Sequence, residues 1–333
     1  MTRERFIRRR RQEWKELEGL LRKLNGTSMR KWTGHQVAQL SRLYRSVCYD
    51  LSLVQSREWG SHLERYLNDL VAQGHTCLYR SPPRSMKDLA DFLISGFPSL
   101  VRKRIAFFYL SLALFAIPFF GSAIYVIWKP AAVDRILSPG ATEQLAESYS
   151  RPLYDQVSER QASERSRMAG FYIRNNTGIA LRAVAGGILM GTGTILILIS
   201  NAIQIGAGTG FVISKGYSAN YFEFTASHAP FELTAIVISG AAGLLLGWGI
   251  IHPGNQSRRE SLITHGRDAV RLAGGMAFMM FIAALIEGYF SPLPIPIGFK
   301  LTAAGFFWLL VIFYLTQGGR GSQHERLQEE RTS

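Results

Sequence analysis

Cysteine is nearly absent. Cys48 and Cys77 are the only two in 333 residues, and no CxxC spacing links them. A disulfide framework and a cysteine zinc site are therefore not expected, and a reduced compartment fits. Catalytic signatures are missing too. No HExxH, no GxSxG and no P-loop occur, so zincin, serine-hydrolase and ATPase chemistry find no recognisable residues. The first residues, MTRERFIRRRRQEW, carry positive charge with no apolar core behind it, so no cleavable signal peptide is expected. No alternating strand pattern competes with the helical spacings of the first hundred residues. No catalytic residue, metal or cofactor is assigned from these residues.

What is present is unevenly spread. Residues 1–104 hold 21 Lys and Arg against 10 Asp and Glu, a net +11 of the whole chain's +14. After Arg104 the chain becomes long, apolar and rich in glycine. This reads as an all-α protein: a basic cytoplasmic helical domain over 1–104, a polytopic membrane domain over 105–317, and a cytoplasmic tail over 318–333. Ile7, Trp14, Leu17, Leu21 and Leu24 share one helical stripe. Val37, Leu40, Tyr44, Val47, Leu51 and Val54 share a second, spaced as in a bundle. Another helix follows Pro82 and Pro83 in SPPRSMKDL, so a bundle of about four helices is expected. The run Arg8–Arg11 suits membrane topology and anionic headgroups better than nucleic acid, because no nucleic-acid motif accompanies it. His75 and Cys77 read as structural.

Ile105–Trp128 has no charge and is long enough to span. Arg102, Lys103 and Arg104 precede it, which places its start in the cytoplasm. Residues 129–176 then form an outer loop, helical and amphipathic around Thr142–Met168. The block Ile179–Ser214 is too long for one crossing and barely long enough for two. If it crosses twice, turning near Asn201, then the arginine-bearing loop of Arg258, Arg259, Arg267 and Arg271 falls inside, as does the tail. That count obeys the positive-inside rule everywhere. It gives about six segments with both termini in the cytoplasm of a bacterial inner membrane. The piece Ala202–Ser214 is short enough to be broken or re-entrant.

Several polar residues then fall at one outer level. Asn175, Asn176, Arg182, His228, Glu232 and Glu287 are placed there, with Asn201 inside the second block. Intramembrane ionisable groups face the interior and pair with one another, so Arg182 is expected to pair with Glu232 or Glu287. His228, four residues before Glu232, shares its helix face. The cluster reads either as an outward pocket for a headgroup, ion or proton, or as an ion-paired clasp. Gly187-x-x-x-Gly191 and Gly243-x-x-x-Gly247, with Gly206 and Gly240, suit close helix packing within or between subunits. A homodimer is one expectation.

The stretches FYIRNNTGIALRAVAGGILMGTGTILILISNAIQIGAGTG and SHAPFELTAIVISGAAGLLLGWGIIHPG resemble the stage II sporulation protein M family. FIRRRRQEWKELEGLL, LYRSVCYDLS and YLNDLVAQGHTCLY resemble its longer members. Matching positions include Asn175, Asn176, Gly187, Gly191, Asn201, Gly206, His228, Glu232, Gly240, Gly243, Gly247, Pro253 and Glu287. The chain departs from the pattern at Asn201-Ala202 and His228-Ala229, where the family often has glycine second. The resemblance implies an envelope-associated membrane complex linked to peptidoglycan remodelling. RDD-type membrane proteins, MoxR-type AAA+ ATPases and membrane lipids are the implied partners. From the sequence, a non-enzymatic assembly component leads. A transporter or channel for a headgroup or small solute is the alternative, and an intramembrane hydrolase using Glu232 and His228 comes third.

Overall fold

A computed structural model describes residues 2–24, 32–79, 86–138, 140–151 and 162–320. Every element among them is helical. The expected tail beyond Arg320, Pro82 and Pro83, and residues 152–161 of the outer loop lie outside the described residues. The chain divides into two compact units, Met1–Lys87 and Asp88–Ser333.

The first unit holds three long helices, α1 (Arg3–Leu24), α2 (Gly34–Ser56) and α3 (Ser61–Tyr79). Trp14, Leu17, Leu21 and Leu24 of α1 are buried against Leu40, Val47, Leu51 and Val54 of α2, much as the spacing predicts. Leu43 joins them, while Val37 stays exposed. α2 begins with a capping box, the Thr33 hydroxyl and the Gln36 side chain each taking the other's backbone N–H. A buried acid ties α1 to α2. Asp50 accepts from Arg10 Nε (2.8 and 3.0 Å) and from Trp14 Nε1 (2.8 Å). Arg10 also pairs with Glu13 and donates to Ser46. One member of the Arg8–Arg11 run is thus a structural strut. The expected fourth helix, α4 (Met86–Asp91), continues through a π-helical turn (Phe92–Gly96) into α5 (Phe97–Lys103). Apart from Met86 and Lys87 this stretch packs with the second unit, so the division falls earlier than the charge pattern suggests.

The second unit contains α6 (Ile105–Trp128), α7 (Ala141–Ser150), α8 (Ala162–Ala185), α9 (Thr192–Ser214), α10 (Ser218–Thr225), α11 (Ala229–Ile251), α12 (Arg258–Leu285) and α13 (Ile297–Gln317). Side-chain pairings fix their directions. Phe107 meets Trp248 and Ser111 donates to the Val237 carbonyl, so α6 and α11 are antiparallel. A methyl group at Gly206 would collide with Phe119, and one at Gly210 with Ala123, so α6 and α9 are parallel. A crossing in the opposite sense must separate them, and α8 supplies it. At 24 residues α8 is about 36 Å long. Five helices are long and apolar enough to cross a membrane. α8 is not one of the five, since Arg174, Asn175, Asn176 and Arg182 dilute its hydropathy, but it runs in the opposite sense between two parallel helices.

The block Ile179–Ser214 reverses direction, as the charge-based count expects, but the turn lies elsewhere. It falls at Gly186–Gly191, where Met190 and Gly191 adopt positive φ (53° and 84°). Glycine reaches that conformation without strain. Asn201 has no glycine beside it, and Ala202 is fully packed, so α9 runs unbroken through both. The short re-entrant piece at Ala202–Ser214 is therefore replaced by one 23-residue helix. The arginine-bearing loop after α11 is also helical, since a Ser257–Glu260 capping box starts α12 at Arg258. On the side where α6 begins, Arg102 donates to the Leu315 and Gly318 carbonyls at the end of α13 (2.8 and 2.6 Å). Arg104 pairs with Asp268 at 2.7 Å. The first of these places a cation at a helix C-terminus, where the dipole favours it.

Replacing Asp50 by Ala should destabilise the purified chain by about 3 kcal/mol, because Arg10 and Trp14 lose their shared acceptor; denaturant unfolding followed by circular dichroism measures it. Gly187→Ala should cost about 3 kcal/mol by forcing two backbones apart. Gly178→Ala, with nothing within 4 Å of the added methyl, should be neutral or gain about 0.5–1 kcal/mol. Thermal unfolding in detergent separates the two.

Candidate functional site

The far side of the membrane unit, opposite the start of α6, gathers three ionisable groups. His228 is the residue before α11, and its carbonyl accepts from the Glu232 N–H (3.1 Å). Pro230 sits in the first turn, where its missing N–H costs nothing. Glu232, also in that turn, benefits from the positive end of the helix. Glu287 arrives from α12 through a π-helical turn, Ile286–Phe290. That turn widens the backbone, with Ser291 N–H bonding the Ile286 carbonyl at 2.8 Å. Single π-turns of this kind recur at functional sites.

One ligand-capable atom from each of His228, Glu232 and Glu287 lies within 4.8 Å of the other two. His228 Nε2 is 3.8 Å from Glu232 Oε2. Its Nδ1 is 3.0 Å from Ser291 Oγ, and the Phe224 ring meets the imidazole edge-on at 5.6 Å. The other Glu232 oxygen, Oε1, accepts from Asn176 Nδ2 at 2.8 Å. Asn175 in turn donates to Asn176 (3.1 Å) from an exposed position. Glu287 is 6% exposed, and its Oε2 is buried with no hydrogen-bond partner. The Ser227 hydroxyl is buried and unpartnered as well.

Arg182 is not there. It is six residues beyond Asn176 on α8, about 9 Å further along the axis and on another face. Ala180, Ala183 and Gly187 form the face that packs inward, whereas Arg182 is exposed and donates from Nε to the Gly178 carbonyl (3.2 Å). The expected Arg182 pair with Glu232 or Glu287 does not form. The misplacement arises because α8 begins at Ala162, well before Ile179. No lysine or arginine among the described residues forms an ion pair with Glu232 or Glu287. The four-membered clasp and the four-membered pocket are both replaced by a triad of two acids and an imidazole. Arg182 and Asn201 meet elsewhere, with Ile179, Leu196, Ser200 and Gln204, in an open groove of about 460 Å³.

The motif glycines are spent inside the chain. A methyl group on Gly187 would strike Gly243, one on Gly247 would strike Gly191, and one on Gly240 would strike Ser111 and Leu198. These glycines bring α8, α9 and α6 onto α11.

Residues 107–292 match the stage II sporulation protein M family, a span that covers more than half of the chain and includes the triad, Asn176 and all of these glycine contacts. The chain belongs to this family. Residues 4–80, which comprise α1 to α3, match a family described as Domain of unknown function (DUF8413). No curated protein and no solved structure matches the chain.

The stage II sporulation protein M region leans on a residue next to it that the sequence reading passed over. Lys300 of α13 is fully buried, just beyond the matched span. Its Nζ donates to the Ser291 carbonyl at 2.8 Å and pairs with Glu223 of α10 at 3.4 Å. It therefore holds the residue that holds His228. A lone lysine in GFKLTAAGFF was the signal available, since an intramembrane cation always needs a partner. Lys300→Met should destabilise the protein by about 3 kcal/mol by leaving Glu223 uncompensated. Adding Glu223→Gln should recover part of that loss in a double-mutant thermal-unfolding series.

Proposed function

We propose that the chain is a non-enzymatic assembly subunit of an envelope-associated complex in the bacterial inner membrane, with both ends of its membrane unit facing the cytoplasm. The observation that carries this reading is the groove of Arg182, Ser200, Asn201 and Gln204. Arginine at membrane depth costs about 2.5–3.5 kcal/mol on insertion scales unless it is paired. Arg182 Nε donates back up its helix to the Gly178 carbonyl, which leaves the terminal guanidinium nitrogens for an acceptor from outside the helix. Gln204 bonds Ser200 within its own helix (3.1 Å), and the amides of Asn201 and Gln204 can both donate and accept. A surface of that kind complements itself across a two-fold axis, with Arg182 of each copy donating to amide carbonyls of the other. A second copy is therefore the proposed occupant.

The orientation rests on charge. Arg102, Lys103, Arg104, Arg258, Arg259, Arg267, Arg271 and Arg320 all belong to the side where α6 begins. The basic helical unit would then offer a docking surface to cytoplasmic partners, a MoxR-type AAA+ ATPase among them, or to anionic lipid. An RDD-type protein is the membrane partner the resemblance implies. The far side would couple to peptidoglycan remodelling.

The test uses Asn201→Cys in a Cys48→Ser, Cys77→Ser background. Bifunctional crosslinking in native membranes should yield a dimer, and Arg182→Leu should reduce the dimer yield severalfold. A monomer at every crosslinker length would overturn the self-assembly.

A further inference from the structure

We propose that His228, Glu232 and Glu287 bind one divalent first-row metal cation, zinc foremost, at the far side of the membrane unit. Three independent features converge on a cation. The first is the donor set. One imidazole and two carboxylates, drawn from separate elements, present atoms within 4.8 Å of one another. Zinc holds nitrogen and oxygen ligands at about 2.0–2.2 Å, which places tetrahedral ligand atoms about 3.3–3.6 Å apart. His228 Nε2 and Glu232 Oε2 are already at 3.8 Å, so a bound ion needs only small rotamer movements to draw the set together.

The second feature is the orphaned oxygen. Glu287 is more than nine-tenths buried, and its Oε2 has no hydrogen-bond partner. A buried carboxylate oxygen without a donor is expensive. Two carboxylates side by side, with no lysine or arginine among the described residues paired to either, are more expensive still when both are ionised. A dication cancels both charges against a neutral imidazole.

The third is the surrounding shell, which is arranged as metal sites arrange it. Ser291 Oγ, 3.0 Å from His228 Nδ1, accepts the Nδ1 proton in the tautomer that leaves Nε2 free for a metal. Lys300 pins the Ser291 backbone. Asn176 holds Glu232 Oε1, which turns Oε2 toward the imidazole. Three protein ligands are the number found in zinc sites that take their fourth ligand from water or a substrate oxygen. A mixed nitrogen and oxygen set favours zinc over magnesium or calcium, which prefer oxygen alone.

The site shares no residue with the Arg182–Asn201 groove, so either can fail without the other. The test uses the full-length chain, its purification tag removed, in lipid nanodiscs. After zinc loading and dialysis, elemental analysis should find about one zinc per chain. Zinc should raise the unfolding temperature, and EDTA should reverse the rise. His228→Ala and Glu287→Gln should each lower zinc occupancy at least tenfold at matched free zinc, while His252→Ala, outside the cluster, should keep it. Because a triad variant can fail to fold, the wild-type protein carries a second readout. X-ray absorption should show nitrogen and oxygen ligation with a single histidine. Occupancy below about 0.1, undiminished zinc in a folded His228→Ala variant, or ligation by sulfur or several histidines would each overturn the proposal.

Discussion

The membrane unit depends on one backbone contact, the approach to α11 of the turn that ends α8, at Gly187 and Gly243. Without side chains between them, the two helices come close enough for dispersion to replace the hydrophobic effect that lipid does not supply. The same sequence separation that joins these glycines joins Asn176 to Glu232 and Gly191 to Gly247. A single register therefore sets the packing and brings the Asn176 amide to the Glu232 carboxylate. A shift of one residue along α8 would turn that amide by about 100° and leave Oε1 without its donor. The polar site and the glycine motif are two consequences of one alignment.

Polar groups at membrane depth are treated in two ways here. Glu232, His228 and Lys300 at the far side are enclosed, and each has a polar neighbour: Asn176, Ser291 and Glu223 in turn. Those on the outer face of α8 and α9 are left open. Enclosure suits a site whose charge is balanced locally, whereas openness suits a surface that another helix completes. The two placements follow from helical angle. Ala180 and Ala183 face α11, and Arg182 between them cannot.

Much of this was legible in the residues. The stripe from Trp14 to Leu24 gave α1 its buried face, and an uncharged run beginning after Arg104 marked α6. A reversal of the chain between Ile179 and Ser214 followed from arginine placement alone. What the sequence hid was position along a helix. Ile179 looked like the start of a segment because the preceding residues are polar, yet α8 starts at Ala162 and carries those residues into the fold. That one error moved Arg182 to the wrong depth and the wrong face. Asn201 misled in the same way, since an amide in an apolar run resembles a break until Ala202 is seen to be packed.

The charge balance of the triad decides how its chemistry should be understood. Had Arg182 reached Glu232, the two would form a neutral structural pair with Glu287 alone left over. With Arg182 elsewhere and Lys300 held by Glu223 and Ser291, both acids stand against a neutral imidazole in a buried setting. Among the described residues no lysine or arginine compensates them, and if both were ionised the cost would be several kcal/mol per ion. Proteins keep such arrangements where a cation or a proton completes them. The Ser291 hydroxyl, 3.0 Å from His228 Nδ1, serves either outcome. Accepting the Nδ1 proton, it leaves Nε2 free for a metal; donating to Nδ1, it leaves the proton on Nε2, facing Glu232.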